Sequence, residues 1–190
     1  MQPFSLVTGA TGFLGSQLVR TLIARGESVK ALVRPGSNLA ALEGLPAGRF
    51  KIAVGDIRIE HSVFAALSGC SRMYHVAAHF KMWDPNPARI VAPAVEGMRA
   101  TLNAARQRKL DKVVVTSSAG VLGTTAGREL MDETHDFNLR DPEAYFAAKV
   151  AADQVANEFL EAGLPIVTVL PATIAGPGDW KPTPNGRILL

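Results

Sequence analysis

Tyr145 and Lys149 stand four residues apart in Tyr145-Phe146-Ala147-Ala148-Lys149, a spacing that sets a phenol and an ammonium on one face of a helix. Upstream, the apolar run beginning at Lys112 ends in Thr116-Ser117-Ser118-Ala119. Together these residue types suit carbonyl reduction, in which hydride reaches the carbon and a proton must reach the developing alkoxide. A phenol with an ordinary pKa of about 10 donates that proton better when a nearby ammonium favours the phenolate. The hydroxyl of Ser118 can hold the substrate oxygen and stabilise its charge. Ser118, Tyr145 and Lys149 are therefore the candidate catalytic residues, with Ser117 in support and Thr116 structural at its strand end.

Hydride chemistry needs a dinucleotide, and Val7-Thr8-Gly9-Ala10-Thr11-Gly12-Phe13-Leu14-Gly15 could hold one. Its glycines fall three apart between an apolar run and an amphipathic one, the pattern of a strand, a tight turn and a helix start. Gly9 can turn the chain, Gly12 can let backbone approach a pyrophosphate, and Gly15 can let helix pack on strand. The helix N-terminus adds unpaired N–H groups and partial positive charge. The spacing is G-x-x-G-x-x-G rather than G-x-G-x-x-G. At the end of the next apolar run, an Asp or Glu that would bond a ribose 2′-hydroxyl is missing, and Arg34 stands there instead. A guanidinium suits a 2′-phosphate, so NADP is the expected cofactor, with NAD as the alternative.

The elements that must position these groups alternate along the chain. Apolar runs predict strands at Phe4–Thr8, Ser28–Val33, Lys51–Gly55, Arg72–Val76, Lys112–Ser117 and Pro165–Leu170. Helices are predicted over Gly12–Arg25, Ser62–Leu67, Pro87–Lys109 and Pro142–Ala162, with a weaker one near Asn38–Glu43. Strands separated by helices imply right-handed crossovers and a doubly wound parallel sheet, an α/β fold whose ligands bind at the carboxyl ends of the strands.

The glycine loop, the hydroxyls of Ser117 and Ser118 and Tyr-x-x-x-Lys together resemble the extended short-chain dehydrogenase/reductase family, also called the NAD-dependent epimerase/dehydratase family, and the resemblance covers essentially the whole chain. It implies a Rossmann fold with Gly9, Thr11, Gly12, Phe13, Leu14 and Gly15 around the pyrophosphate. Gly55-Asp56-Ile57 looks like the family's adenine segment, and His75-Val76-Ala77-Ala78 like the stretch beside the cofactor, which adds Asp56, Ile57, Val76, Ala77 and Ala78. Leu170-Pro171-Ala172-Thr173-Ile174-Ala175-Gly176-Pro177 is similar to the segment near the nicotinamide, which adds Pro171, Ala172 and Thr173; Thr116, Ser117, Tyr145 and Lys149 complete the cofactor set. Pro93-Ala94-Val95-Glu96-Gly97-Met98 looks like the dihydroflavonol-reductase and cinnamoyl-CoA-reductase branch, with Ala94 where many sugar epimerases have Asn. Phe80–Pro85 and Lys181–Arg187 also resemble bacterial dihydroflavonol-reductase-like proteins, including hopanoid-associated sugar epimerases. Dehydratases of the family carry Asp-Glu where this chain has Ala119-Gly120, which disfavours dehydration.

Composition agrees with an enzyme of this class. The chain has 190 residues, 47% of them hydrophobic, and one cysteine, Cys70, which cannot form an internal disulfide. The formal charge of +3 is scattered, and the basic residues Arg106, Arg108, Lys109 and Lys112 suit a helix end better than nucleic acid. His61, His75 and His135 are too scattered for a metal site, and His79 is read as structural. Met82 and Trp83 fit a substrate pocket or a core cover equally well. Met1-Gln2-Pro3 leads straight into the first strand, and no run reaches the length of a membrane span, so a cytoplasmic protein without nucleic-acid or membrane partners is expected. Its partner is a small-molecule substrate, and a homodimer is the candidate assembly. Residues 1–177 are expected to form the NAD(P)-binding domain and 178–190 the start of a substrate-binding region; the uncapped apolar end at Ile188-Leu189-Leu190 suggests a fragment. The expected function is hydride transfer between nicotinamide and a carbonyl or alcohol. The alternatives are a nucleoside-diphosphate-sugar epimerase retaining NAD and a non-catalytic dinucleotide-binding module.

Overall fold

A computed structural model of the chain describes residues 3–78 and 82–179. His79, the residues 180–190 and most of the segment before Trp83 thus lie outside the described residues, as do the readings made on them. Six parallel strands, β1 (Phe4–Thr8), β2 (Ser28–Val33), β3 (Phe50–Val54), β4 (Cys70–His75), β5 (Lys112–Thr116) and β6 (Ile166–Val169), form one sheet in the order β3-β2-β1-β4-β5-β6. The sequence order reverses between β1 and β4, the crevice where dinucleotides bind in doubly wound sheets.

Four helices connect the strands: α1 (Phe13–Ala24), α2 (Glu60–Ala66), α3 (Ala88–Gln107) and α4 (Ala144–Glu161). Alternate strand residues feed two cores. Leu6, Met73, Val113, Val115 and Ile166 pack under α2, α3 and α4, while Val7, Val29, Ala31 and Val33 pack under α1. Adjacent residues such as Leu6 and Val7 on β1, or Ala31, Leu32 and Val33 on β2, thereby enter opposite cores, which is why these stretches read as unbroken apolar runs. The outer strands differ: Ile52 and Val54 on β3 and Val167 and Val169 on β6 are exposed.

The first two strands match expectation residue for residue, and the other elements shift by one or two positions at their ends, where terminal turns fray. The helix expected near Asn38–Glu43 is only a 3₁₀ turn, Ala40–Leu42, opened by Asn38 Oδ1 accepting from the Ala40 N–H at 2.8 Å. Pro35, Gly36, Gly44 and Pro46 crowd this connection and leave no room for a longer helix. Helix α3 runs through Pro93, which cannot donate to the carbonyl one turn back. It ends at Gln107 with Arg108 as its cap, and Lys109 follows with φ +52°, a left-handed position that usually falls to glycine.

Candidate active site

The glycine loop is shaped by contacts between backbones. Gly9 has φ +67°, and a Cβ there would lie 2.7 Å from the Ala77 nitrogen, so the loop is pressed against the chain leaving β4. A Cβ on Gly15 would lie 2.1 Å from the Gly9 carbonyl oxygen. Gly15 therefore permits α1 to close on the turn itself, rather than on the strand as its spacing suggested. Gly12 is exposed, precedes α1, and donates its N–H to the Gly9 carbonyl at 2.9 Å. No side chain caps α1, and its first turn carries no acidic residue. The N–H groups of Phe13, Leu14 and Gly15 thus find no partner within the helix and stand at its positive end. That is a cradle suited to a pyrophosphate.

Thr8 fastens β1 to β4 behind this loop. Its hydroxyl accepts from the Ala77 N–H at 3.1 Å and lies 2.9 Å from His75 Nδ1. Donation to Nδ1 leaves the ring proton of a neutral imidazole on Nε2. Burial, and next the charge of Lys149, push the His75 pKa down to about 4. Val76 and Ala77 are held beside Gly9 by this link.

At the β2 and β3 ends, Arg34 is exposed and Asp56 half-buried. Arg58 grips both carboxylate oxygens of Asp56, with Arg58 Nη2 2.7 Å from Oδ2 and Nε 3.1 Å from Oδ1. These bonds, and more weakly the charge of Arg34, hold the Asp56 pKa below its usual range against the effect of burial. Arg34 itself makes no ion pair among the described residues. Ile57 packs against α3, where a Cβ at Gly97 would come within 3.3 Å of Ile57 Cδ1.

Across the crevice, Ser118 follows β5 and opens the 3₁₀ turn Ala119–Leu122, its Oγ accepting from the Gly120 N–H at 3.2 Å. This turn packs on α4: a Cβ at Gly120 would lie 2.5 Å from the Phe146 ring, which meets the Tyr145 ring edge-on with centroids 5.4 Å apart. Tyr145 is the second residue of α4. One turn on, Lys149 Nζ lies 3.4 Å from the carbonyl oxygens of both Thr116 and Ser117, which brings the ammonium to the strand end that carries Ser118. These contacts are long for hydrogen bonds. Burial lowers the Lys149 pKa, and the negative charge of Asp153 works against that shift. Ser117 is buried, with its hydroxyl toward Asp153.

The segment after β6 joins the two halves. Ala119 N–H donates to the Pro171 carbonyl at 3.0 Å, and further on Gly176 lies near the Phe13 ring while Gln17 Nε2 reaches the Pro177 carbonyl at 3.4 Å. Pro171, Ala172 and Thr173 thus leave from beside Ser118, and the chain continues to the start of α1. Met82 and Trp83 are exposed and do not cover the core. Thr8, His75, Gly120, Phe146 and Asp153 escaped the motif reading as supports of the site. The signal for Asp153 was legible, one helical turn beyond Lys149. No cluster of three or more potential metal ligands occurs among the described residues.

This crevice, with a helix start suited to a phosphate on one side and a hydroxyl, a phenol and an ammonium on the other, lies in a Rossmann-like α/β fold. The chain belongs to the NAD dependent epimerase/dehydratase family, whose profile matches residues 5–190. It is 38% identical to sterol demethylase protein B of Methylococcus capsulatus over 98% of this chain and 56% of that one. It is 33% identical to dihydroflavonol 4-reductase of Zea mays over 90% of this chain and 53% of that one. The crystal structure of gox2253 superposes with a TM-score of 0.90 at 35% identity, covering 99% of this chain and 57% of that one. The chain thus spans about half the length of the curated relatives it matches.

Proposed function

We propose that the complete protein is an NAD(P)-dependent oxidoreductase that moves hydride between nicotinamide and a carbonyl or alcohol substrate. The observation that carries this reading is the gathering of Ser118, Tyr145 and Lys149 at the β5–α4 junction, across the crevice from an uncapped glycine-rich helix start. In reduction, a bound nicotinamide would supply hydride to the carbonyl carbon. Tyr145 gives its phenolic proton to the oxygen, and oxidation reverses both transfers. The Ser118 hydroxyl, whose oxygen already takes the Gly120 N–H, donates to the substrate oxygen. Lys149 stabilises the phenolate left behind and binds the nicotinamide ribose. Residues 1–177 act as the dinucleotide-binding unit: Gly9, Thr11, Gly12, Phe13, Leu14 and Gly15 hold the pyrophosphate, Asp56 and Ile57 the adenine, and Val76, Ala77, Ala78, Thr116, Ser117, Pro171, Ala172 and Thr173 the remainder. Residues 178–190 begin the substrate-binding region.

The test is Tyr145→Phe in the complete protein, screened by NADPH oxidation with aldehydes, ketones and nucleotide sugars. Loss of the proton donor should lower turnover by about 10²–10⁴-fold while cofactor affinity stays near native. Near-normal turnover on the true substrate would overturn the assignment.

The preferred cofactor in this reading is NADP. Arg34 stands where an NAD-preferring fold has a carboxylate, and Asp56, whose charge it feels, is already gripped by Arg58. Its guanidinium can therefore meet a 2′-phosphate. Arg34→Ala should cost NADP(H) about 1.5–3 kcal/mol of binding and leave NAD(H) little changed. Tighter binding of NAD(H) by the native protein would refute the preference and favour an epimerase that retains NAD.

A further inference from the structure

Behind the candidate catalytic lysine lies a pair of buried polar groups that hydride transfer does not use. Asp153 follows Lys149 by one turn of α4 and shares its helix face. Asp153 Oδ1 and Ser117 Oγ are both shut off from solvent without a hydrogen-bond partner, although the Ser117 hydroxyl faces the Asp153 carboxyl closely enough to favour its ionised form. Leaving such atoms buried and unpaired is costly, so their retention calls for a charge that needs them. Lys149 is that charge. It sits in a mostly buried position against the Thr116 and Ser117 carbonyls, where desolvation disfavours the ammonium. A neutral amine there could not support a phenolate at Tyr145.

The other groups near Lys149 do not replace Asp153. From β4, His75 is neutral at ordinary pH, and from β5 the approach is by carbonyl dipoles. On α4 itself stand Tyr145 and Asp153. The ion pair that α3 makes with α4, Arg99 to Glu158, lies more than two turns farther along the helix.

We infer that Asp153 is a positioning residue: its buried carboxyl, faced by the Ser117 hydroxyl and one helical turn from Lys149, keeps the lysine charged and directed at the end of β5. The inference rests on the reading of Lys149 given above only for its catalytic consequence. Its test needs neither substrate nor cofactor. In the complete protein labelled with ¹³C,¹⁵N-lysine, the ε-methylene signal of Lys149 is assigned by its loss in Lys149→Arg and followed against pH. Asp153→Asn should lower the Lys149 midpoint by about one pH unit, and Asp153→Glu should restore most of it. Ser117→Ala, which leaves the carboxyl in place but makes it harder to ionise, should move the midpoint the same way by less. An unchanged midpoint in folded Asp153→Asn overturns the proposal. Should that variant not fold, an unchanged midpoint in Ser117→Ala does so instead.

Discussion

At the scale of single residues, the crevice is governed by which groups are charged and which are kept neutral. His75 is wholly buried, with a pKa depressed to about 4 from an ordinary 6.5, and its neutral ring meets the Thr8 hydroxyl that holds Ala77 beside the glycine loop. Because the folded pKa lies below the unfolded one, the unfolded chain binds more protons between these values. Stability from this group is complete above pH 6.5 and is lost as pH falls toward 4, with a slope of up to about 1.4 kcal/mol per pH unit. Asp153, whose pKa burial raises, acts with the opposite sign above the ordinary aspartate range. Replacing only the histidine separates the two effects. Denaturant unfolding of the native protein and of His75→Gln across this window should show the acid-side slope flattened in the variant, and parallel curves would refute the assignment.

At the scale of elements, the decisive contact is the closure of α1 on the turn that precedes it. An added methyl at Gly15 would overlap the Gly9 carbonyl at 2.1 Å, and backbone on both sides leaves little room to yield. Overpacking of this kind costs about 1–3 kcal/mol where the surroundings can adjust. Gly15→Ala should therefore lower the melting temperature and weaken dinucleotide binding together, because the N–H groups of α1 are displaced from their common aim. Calorimetry with and without NADP checks this, and native affinity in a folded variant would refute it. The same reasoning explains how far the glycine triplet was legible. Its spacing identified a turn between strand and helix, but whether Gly15 met strand or turn depended on the crossing of α1 over β1.

At the scale of the whole molecule, the described residues provide a sheet, two cores and a crevice, while the relatives are nearly twice as long. Val167 and Val169 on β6 are exposed on the sheet face turned away from α4. Residues 1–190 alone should bind dinucleotide but turn substrate over poorly, since misplacement of a reactant by about 1 Å already costs on the order of 10²-fold. Kinetics of this portion beside the complete protein measure the difference, and equal kcat/KM would mean that no further lobe is needed.

Much of this architecture follows from local pattern. Apolar runs of strand length separated by amphipathic stretches determine a parallel α/β sheet, because strands buried on both faces and joined by helices have few other ways to pack. Motif spacing likewise marked Ser118, Tyr145 and Lys149, since a four-residue interval sets two side chains on one helix face whatever surrounds the helix. Contacts between segments distant in sequence were decided only by the tertiary structure. The Thr8–His75–Ala77 link requires β1 and β4 to be neighbours, the approach of Gly120 to Phe146 requires the turn after β5 to rest on α4, and the burial of Asp153 requires α4 to lie against the end of β5. Charge state belongs with these contacts, because desolvation is set by what the folded chain lays over a group, and a residue's neighbours in sequence carry little record of it.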